Sequence, residues 1–112
     1  MSQKVLASYF SDKIGNRNNR LDDGGYYYAE LSTNPNDKKN WDYKALGGLK
    51  KDHKLRITYN GKSVIAKKGD KGRGKLETSG KFAGELRKID LHETLARKLG
   101  FNGLDFVTIE DA

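Results

Sequence analysis

Two carboxylates are the residues of this sequence best suited to chemistry. Asp70 sits in the run Gly69-Asp70-Lys71-Gly72-Arg73-Gly74, and Asp90 in Ile89-Asp90-Leu91, ahead of a helical pattern. Cleaving a glycosidic bond takes a carboxylic acid that is still protonated near neutral pH. Two carboxylates brought together provide one, because mutual repulsion raises the pKa of one partner. Asp70 and Asp90 could form such a pair. Each also has a plain structural reading: Asp70 as an Asp turn among glycines, and Asp90 as a helix cap completed by Glu93 three residues on. Lys71, Arg73 and Lys75 surround Asp70 in sequence with positive charge, which holds a carboxylate ionised. Those cations suit an anionic glycan or a phosphate backbone better than they suit acid catalysis at Asp70.

The elements that must position these residues start from Lys54 to Gly74. Asn60-Gly61 between alternating apolar residues predicts a two-residue hairpin, because a type I′ turn needs positive φ at both centres. Tyr59 then faces Lys62, Ile57 faces Val64 and Leu55 faces Ala66, all on a core face. Arg56, Thr58, Ser63 and Ile65 share the other. Beyond Lys68 the strand pattern stops at the glycine-rich run, which predicts a sharp exit that leaves Asp70 at a strand end. Val5 to Phe10 predicts a first strand, followed by a polar loop from Ser11 to Gly25. Tyr26 to Leu31 predicts a second strand, with Tyr27, Ala29 and Leu31 on one face and Tyr26, Tyr28 and Glu30 on the other. Ser32 to Asn40 reads as a loop, Trp41 to Leu49 as one short helical turn broken by Gly47-Gly48, and Lys81-Phe82-Ala83 as a short strand. Lys88 to Gly100 predicts a helix, with Leu91, Leu95 and Leu99 at spacing four and Gly100 ending it. Leu104 to Glu110 alternates as a last strand.

The aromatic residues are the second chemical resource. Rings stack on sugars, so Tyr9, Tyr26, Tyr28, Trp41 and Tyr43 are candidates for the floor of a binding surface. Tyr28 is favoured, on the face away from Ala29 and Leu31.

A chain of 112 residues with 35% hydrophobic residues and a mean hydropathy of −0.87 is expected to form a single domain over 1–112, with a compact core and long polar loops. No apolar run approaches a membrane span, and Met1-Ser2-Gln3-Lys4 opens no signal-type segment. With no cysteine, neither a disulfide scaffold nor a thiolate metal site is available, and the compartment stays open. The net charge of +7 points to polyanionic partners, or simply keeps a small domain soluble. Gly61-Lys62-Ser63 ends like a phosphate-binding loop, but Arg56 stands where its first glycine belongs and a strand follows. His92-Glu93 begins like a zinc-protease helix, yet Ala96 replaces the second histidine, so neither metal nor cofactor is expected.

The ordered pieces together resemble the double-psi β-barrel superfamily of rare lipoprotein A, barwin and expansin domains. VLASYF at 5–10 resembles the family's opening strand with its Ala-Thr/Ser-Tyr/Trp-Tyr signature. YAELS at 28–32 resembles its Ala-Ala-Leu-Ser segment, and 62–74 its Gly-x-Ser-Val-x-Val-x-x-x-Asp-x-Gly-Pro block. Ile89-Asp90-Leu91 with its helix resembles the Ile-Asp-Leu-Ser helix, and 106–110 the closing Val-x-Ile-Glu. Arg73 departs from the family's proline and His92 from its serine. The cysteines of barwin and plant expansins and a His-Phe-Asp motif are absent, which brings the chain nearer to bacterial members.

The resemblance implies a mainly β fold, a small six-stranded double-psi barrel with one or two short helices. It also implies a groove binding cell-wall polysaccharide, with Asp70 and Asp90 facing each other in it as catalytic candidates. Tyr9, Tyr28, Trp41, Lys71 and Arg73 are the expected substrate-binding residues. Relatives either cleave peptidoglycan as lytic transglycosylases, with an aspartate as general acid, or loosen wall polysaccharide without hydrolysis. Expected partners are a cell-wall glycan or another polyanion, with a protein partner as the alternative for a monomeric, inhibitor-like or defence module acting through the loops at Ser11 to Gly25 and Ser32 to Asp52. Nucleic-acid binding through net charge ranks last. A wall substrate implies an extracellular or envelope location after export.

Overall fold

The computed structural model describes residues 2–15 and 19–112; Met1 and residues 16–18 of the expected polar loop lie outside the described residues. Six strands close into one barrel: β1 (Ser2–Phe10), β2 (Tyr27–Leu31), β3 (Lys54–Tyr59), β4 (Lys62–Gly72), β5 (Arg87–His92) and β6 (Leu104–Asp111). Around the barrel the order is β1-β5-β2-β4-β3-β6. The pairs β1 with β5 and β2 with β4 run parallel, and the other four are antiparallel. The mainly β expectation holds. No helix among the described residues is long and apolar enough to cross a membrane.

The central hairpin has the predicted register, with Tyr59 opposite Lys62, Ile57 opposite Val64 and Leu55 opposite Ala66. Asn60 (φ 47°) and Gly61 (φ 80°) make the turn in the left-handed region that these two residues tolerate. Leu55, Ile57, Tyr59 and Ala66 are buried in a core shared with Val5, Ala7, Ile89, Leu91, Val107 and Ile109, while Ile65 on the opposite face is exposed.

Strand β4 corrects one expectation. It does not stop at Lys68 but continues through Gly72, so Asp70 lies within a strand. The glycines there serve close packing rather than a turn. A Cβ on Gly69 would lie 2.6 Å from Leu21 Cδ2 and 2.9 Å from Tyr27 Cδ1. Their sequence signal was read as loop because glycine marks both situations.

The helix is also shorter than predicted. Residues 88–92 belong to β5, which is paired on both sides, with Ile89 and Leu91 fully buried at the strand period. The helix α1 spans Glu93–Leu99, buries Leu95, Ala96 and Leu99, and ends at Gly100 (φ 67°). Leu91 fits either period, and barrel pairing decides between them. Asp90 is therefore no cap: His92 occupies that position. Residues 80–82 form a 3-10 turn instead of a strand. The segment 41–49 is an irregular loop with one hydrogen-bonded turn, the Gly47 N–H donating to the Lys44 carbonyl at 3.0 Å, and no helix.

That loop is fixed by a residue the sequence reading placed on an outer face. Glu30 is fully buried and accepts backbone N–H bonds from Leu46 (2.8 Å), Gly48 (2.8 Å) and Leu49 (2.7 Å). The Lys68 ammonium donates to the same carboxylate at 2.9 Å and to the Leu49 carbonyl at 2.6 Å. A buried charge is tolerable only when paired and hydrogen-bonded, and Glu30 is both.

Candidate functional site

The barrel register places both aspartates in one row. Ser8 of β1 pairs with Asp90 of β5, Asp90 with Ala29 of β2, and Ala29 with Asp70 of β4. Residues directly opposite on neighbouring strands share a face, so the carboxylates flank a methyl group.

Asp90 is half-buried, and its carboxyl accepts a hydrogen bond from the Ser8 hydroxyl. Burial raises its pKa above the ordinary carboxylate value, and the Asp70 and Asp12 charges push the same way. The Ser8 bond and the Arg87 charge oppose them without prevailing. A carboxyl with a raised pKa keeps its proton to higher pH than an ordinary aspartate, which suits it to proton donation. Asp70 accepts a bond from the Lys71 backbone N–H at 2.8 Å.

Beside Asp90 lies an open cavity of about 410 Å³, lined by Ser8, Arg73, Gly74, Lys75, Arg87 and Asp90. Gly74 closes one wall: its N–H donates to Ser32 Oγ at 2.8 Å, and a Cβ there would sit 2.2 Å from the Ser32 carbonyl oxygen. Next to this wall, the Arg73 guanidinium stands 5.7 Å from the centre of the Trp41 ring, and the Lys71 ammonium 4.8 Å from that of Tyr43. Trp41 and Tyr43 meet edge to face at 6.5 Å. Asp42 between them holds the loop by accepting bonds from the backbone N–H groups of Thr33 and Lys44, at 2.8 and 3.2 Å, and from the Thr33 hydroxyl.

Of the predicted site residues, Asp70 and Asp90 flank Ala29, Asp90 and Arg73 line one cavity, Arg73 stands over the Trp41 ring, and Lys71 over that of Tyr43. Tyr28 does not. It is fully buried in the core, its hydroxyl donating to the His53 carbonyl at 2.8 Å, so its ring offers no face to a ligand. The predicted outer face of β2 is in fact the inner one: Tyr28 stands opposite Leu91 and Glu30 opposite Ile89, both core residues of β5, so Tyr28 shares their face. Tyr9 is 56% exposed but lies in a different pocket, with Glu93, Ala96, Arg97 and Phe101. Sequence reasoning missed Ser8 and Arg87. Ser8 lay in the VLASYF segment, next to the candidate Tyr9, and Arg87 carried no local signal.

No family model matches the chain, and no curated protein does. Solved structures do. A mutant expansin of Clavibacter michiganensis in complex with cellohexaose is 20% identical, with a TM-score of 0.58. The likeness covers 100% of this chain and 50% of that one, so the chain spans about half the length of the expansin it resembles. The Streptomyces papain inhibitor is 19% identical over 98% of this chain and 93% of its own, with a TM-score of 0.56. A computationally designed double-psi barrel is 20% identical over 100% of both chains, at a TM-score of 0.50. With two parallel strand pairs set into one closed mixed sheet, and these likenesses along its whole length, the chain folds as a double-psi β-barrel.

Proposed function

We propose that the surface carrying Asp70, Asp90 and the Trp41–Tyr43 pair binds a cell-wall polysaccharide of the peptidoglycan type and is placed to remodel it. The observation that carries this reading is the register that sets Asp70 and Asp90 on either side of Ala29, with Asp90 and Ser8 lining a cavity whose Arg73 stands against the Trp41 ring of an aromatic pair. Rings stack on sugar faces, and a carboxyl whose pKa is raised is suited to the acid role in glycosidic cleavage. In this reading Asp90, rather than Asp70, gives its proton to the leaving glycosidic oxygen, as in a lytic transglycosylase. The complex of the expansin neighbour with cellohexaose supports a glycan ligand. Such a substrate implies action outside the cell or in its envelope.

The test is co-sedimentation with insoluble peptidoglycan and with cellulose, followed by mass spectrometry of the supernatant. Trp41→Ala is expected to weaken retention. Asp90→Asn is expected to retain binding and lose any released fragment. Absence of retention on every wall polysaccharide would overturn the reading.

A second reading, a non-enzymatic protein-binding module, draws on the papain inhibitor, whose likeness extends over nearly the full length of both chains. Here the loop from Ser32 to Asp52, held by Glu30 and Asp42, would be the contact surface. Residual papain activity in the presence of excess protein decides it: undiminished activity removes papain as the target.

A further inference from the structure

The cavity beside Asp90 is more basic than a neutral glucan requires. Arg73, Lys75 and Arg87 line it against the single carboxyl of Asp90. Their placement is built into the backbone. Arg73 and Lys75 flank Gly74, whose close approach to Ser32 fixes the chain between them. Lys75 is held next to Arg87 by a short ribbon, in which the Arg87 N–H donates to the Lys75 carbonyl at 2.9 Å and Leu76 bridges Leu86. The Arg87 side chain is oriented by Glu77, which pairs with its Nε at 2.9 Å; both side chains are largely buried. Glu77 occupies that edge of the guanidinium, while the Arg87 charge still acts on Asp90. Arg73 rests against the Trp41 ring, so the cation and the stacking surface adjoin.

We infer that Arg73, Lys75 and Arg87 form an anion subsite that takes an acidic substituent, carboxylate or phosphate, carried by the sugar bound beside Asp90. The inference rests on the polysaccharide reading for the identity of its ligand. It goes further in specifying an acidic glycan over a neutral one. A planar guanidinium presents a fork of donors to a carboxylate or phosphate, and prior orientation by Glu77 spares part of the ordering entropy. The volume of about 410 Å³ admits the substituent together with part of its ring.

Calorimetry with hexagalacturonate and with its fully methyl-esterified form separates charge from ring contacts. Amide NMR titration with inorganic phosphate tests the anion alone. The acidic hexamer is expected to bind about tenfold more tightly than the ester, as charge-assisted hydrogen bonds allow. Arg73→Gln combined with Lys75→Gln should reduce that difference to about threefold or less; an undiminished difference would overturn the subsite. Both positions are exposed, so the variant is expected to fold; an unchanged circular dichroism melt verifies it. Equal binding of acid and ester would overturn the anion subsite and leave the glycan reading standing. Phosphate shifts confined to Arg73, Lys75 and Arg87, with no binding of either hexamer, would uphold the subsite and overturn a uronate sugar as its carrier. Binding of neither hexamer nor phosphate would overturn the subsite. A single-stranded oligonucleotide that binds more tightly than hexagalacturonate would overturn the polysaccharide assignment.

Discussion

At Asp90, burial and function pull in opposite directions. Its folded pKa is raised, so ionisation costs the folded state free energy. The cost is absent below the ordinary carboxylate pKa, grows as pH rises through it, and is complete above the raised value. Asp90→Asn removes the charge while keeping an acceptor for Ser8. It is expected to melt above the wild type at pH 7, with the gap closing towards pH 3, as thermal denaturation across that range will read. A gap that widens in acid would count against a destabilised carboxylate. Tyr28 gives the complementary case. Its hydroxyl is buried on the His53 carbonyl, so Tyr28→Phe should cost about 1–2 kcal/mol in a urea titration and leave glycan retention unchanged. Lost retention with unchanged stability would restore Tyr28 to the binding surface.

At the scale of elements, the loop bearing Trp41 and Tyr43 depends on one buried side chain from β2. Glu30 satisfies three backbone donors and one ammonium, so Glu30→Gln should cost about 2–4 kcal/mol, as removing a partner from a buried pair does. Hydrogen exchange should accelerate first at Leu46, Gly48 and Leu49, ahead of the barrel strands. Uniform acceleration across β1 to β6 would instead make Glu30 a global stabiliser. The hairpin at Asn60-Gly61 was legible because its turn chemistry is local. The boundary between β5 and α1 was not, since Leu91 suits a strand period and a helix period alike. Glu30 was not legible either: alternation along β2 leaves open which side is inward, and pairing with β5, where Glu30 stands opposite the buried Ile89, decides it.

Across the whole molecule, charge and topology act separately. The net charge of +7 is set by composition and draws the protein towards polyanions over a screening length of about 10 Å at 0.1 M salt. Retention on peptidoglycan is therefore expected to fall several-fold when salt is raised from about 0.05 to 0.5 M, while retention on cellulose, which relies on the rings, changes little. Equal salt dependence on both polymers would make the charge a solubility device alone. The barrel has no part in that attraction. It brings β4, β2 and β5 side by side and so places residues 20 positions apart, 70 and 90, across one alanine.

The sequence by itself determined what short-range physics encodes: the Asn60-Gly61 turn, the alternating core of β3 and β4, the end of α1 at Gly100, the basic charge and the candidacy of two aspartates. Tertiary structure decided that Asp90 is desolvated, which raises its pKa, and set it beside Ser8, Arg73 and Arg87. It also moved Tyr28 from surface to core and brought Ser8 and Arg87 to the site. Those outcomes follow from strand pairing between residues about 80 positions apart in Ser8 and Asp90, and no local pattern along the chain carries that register.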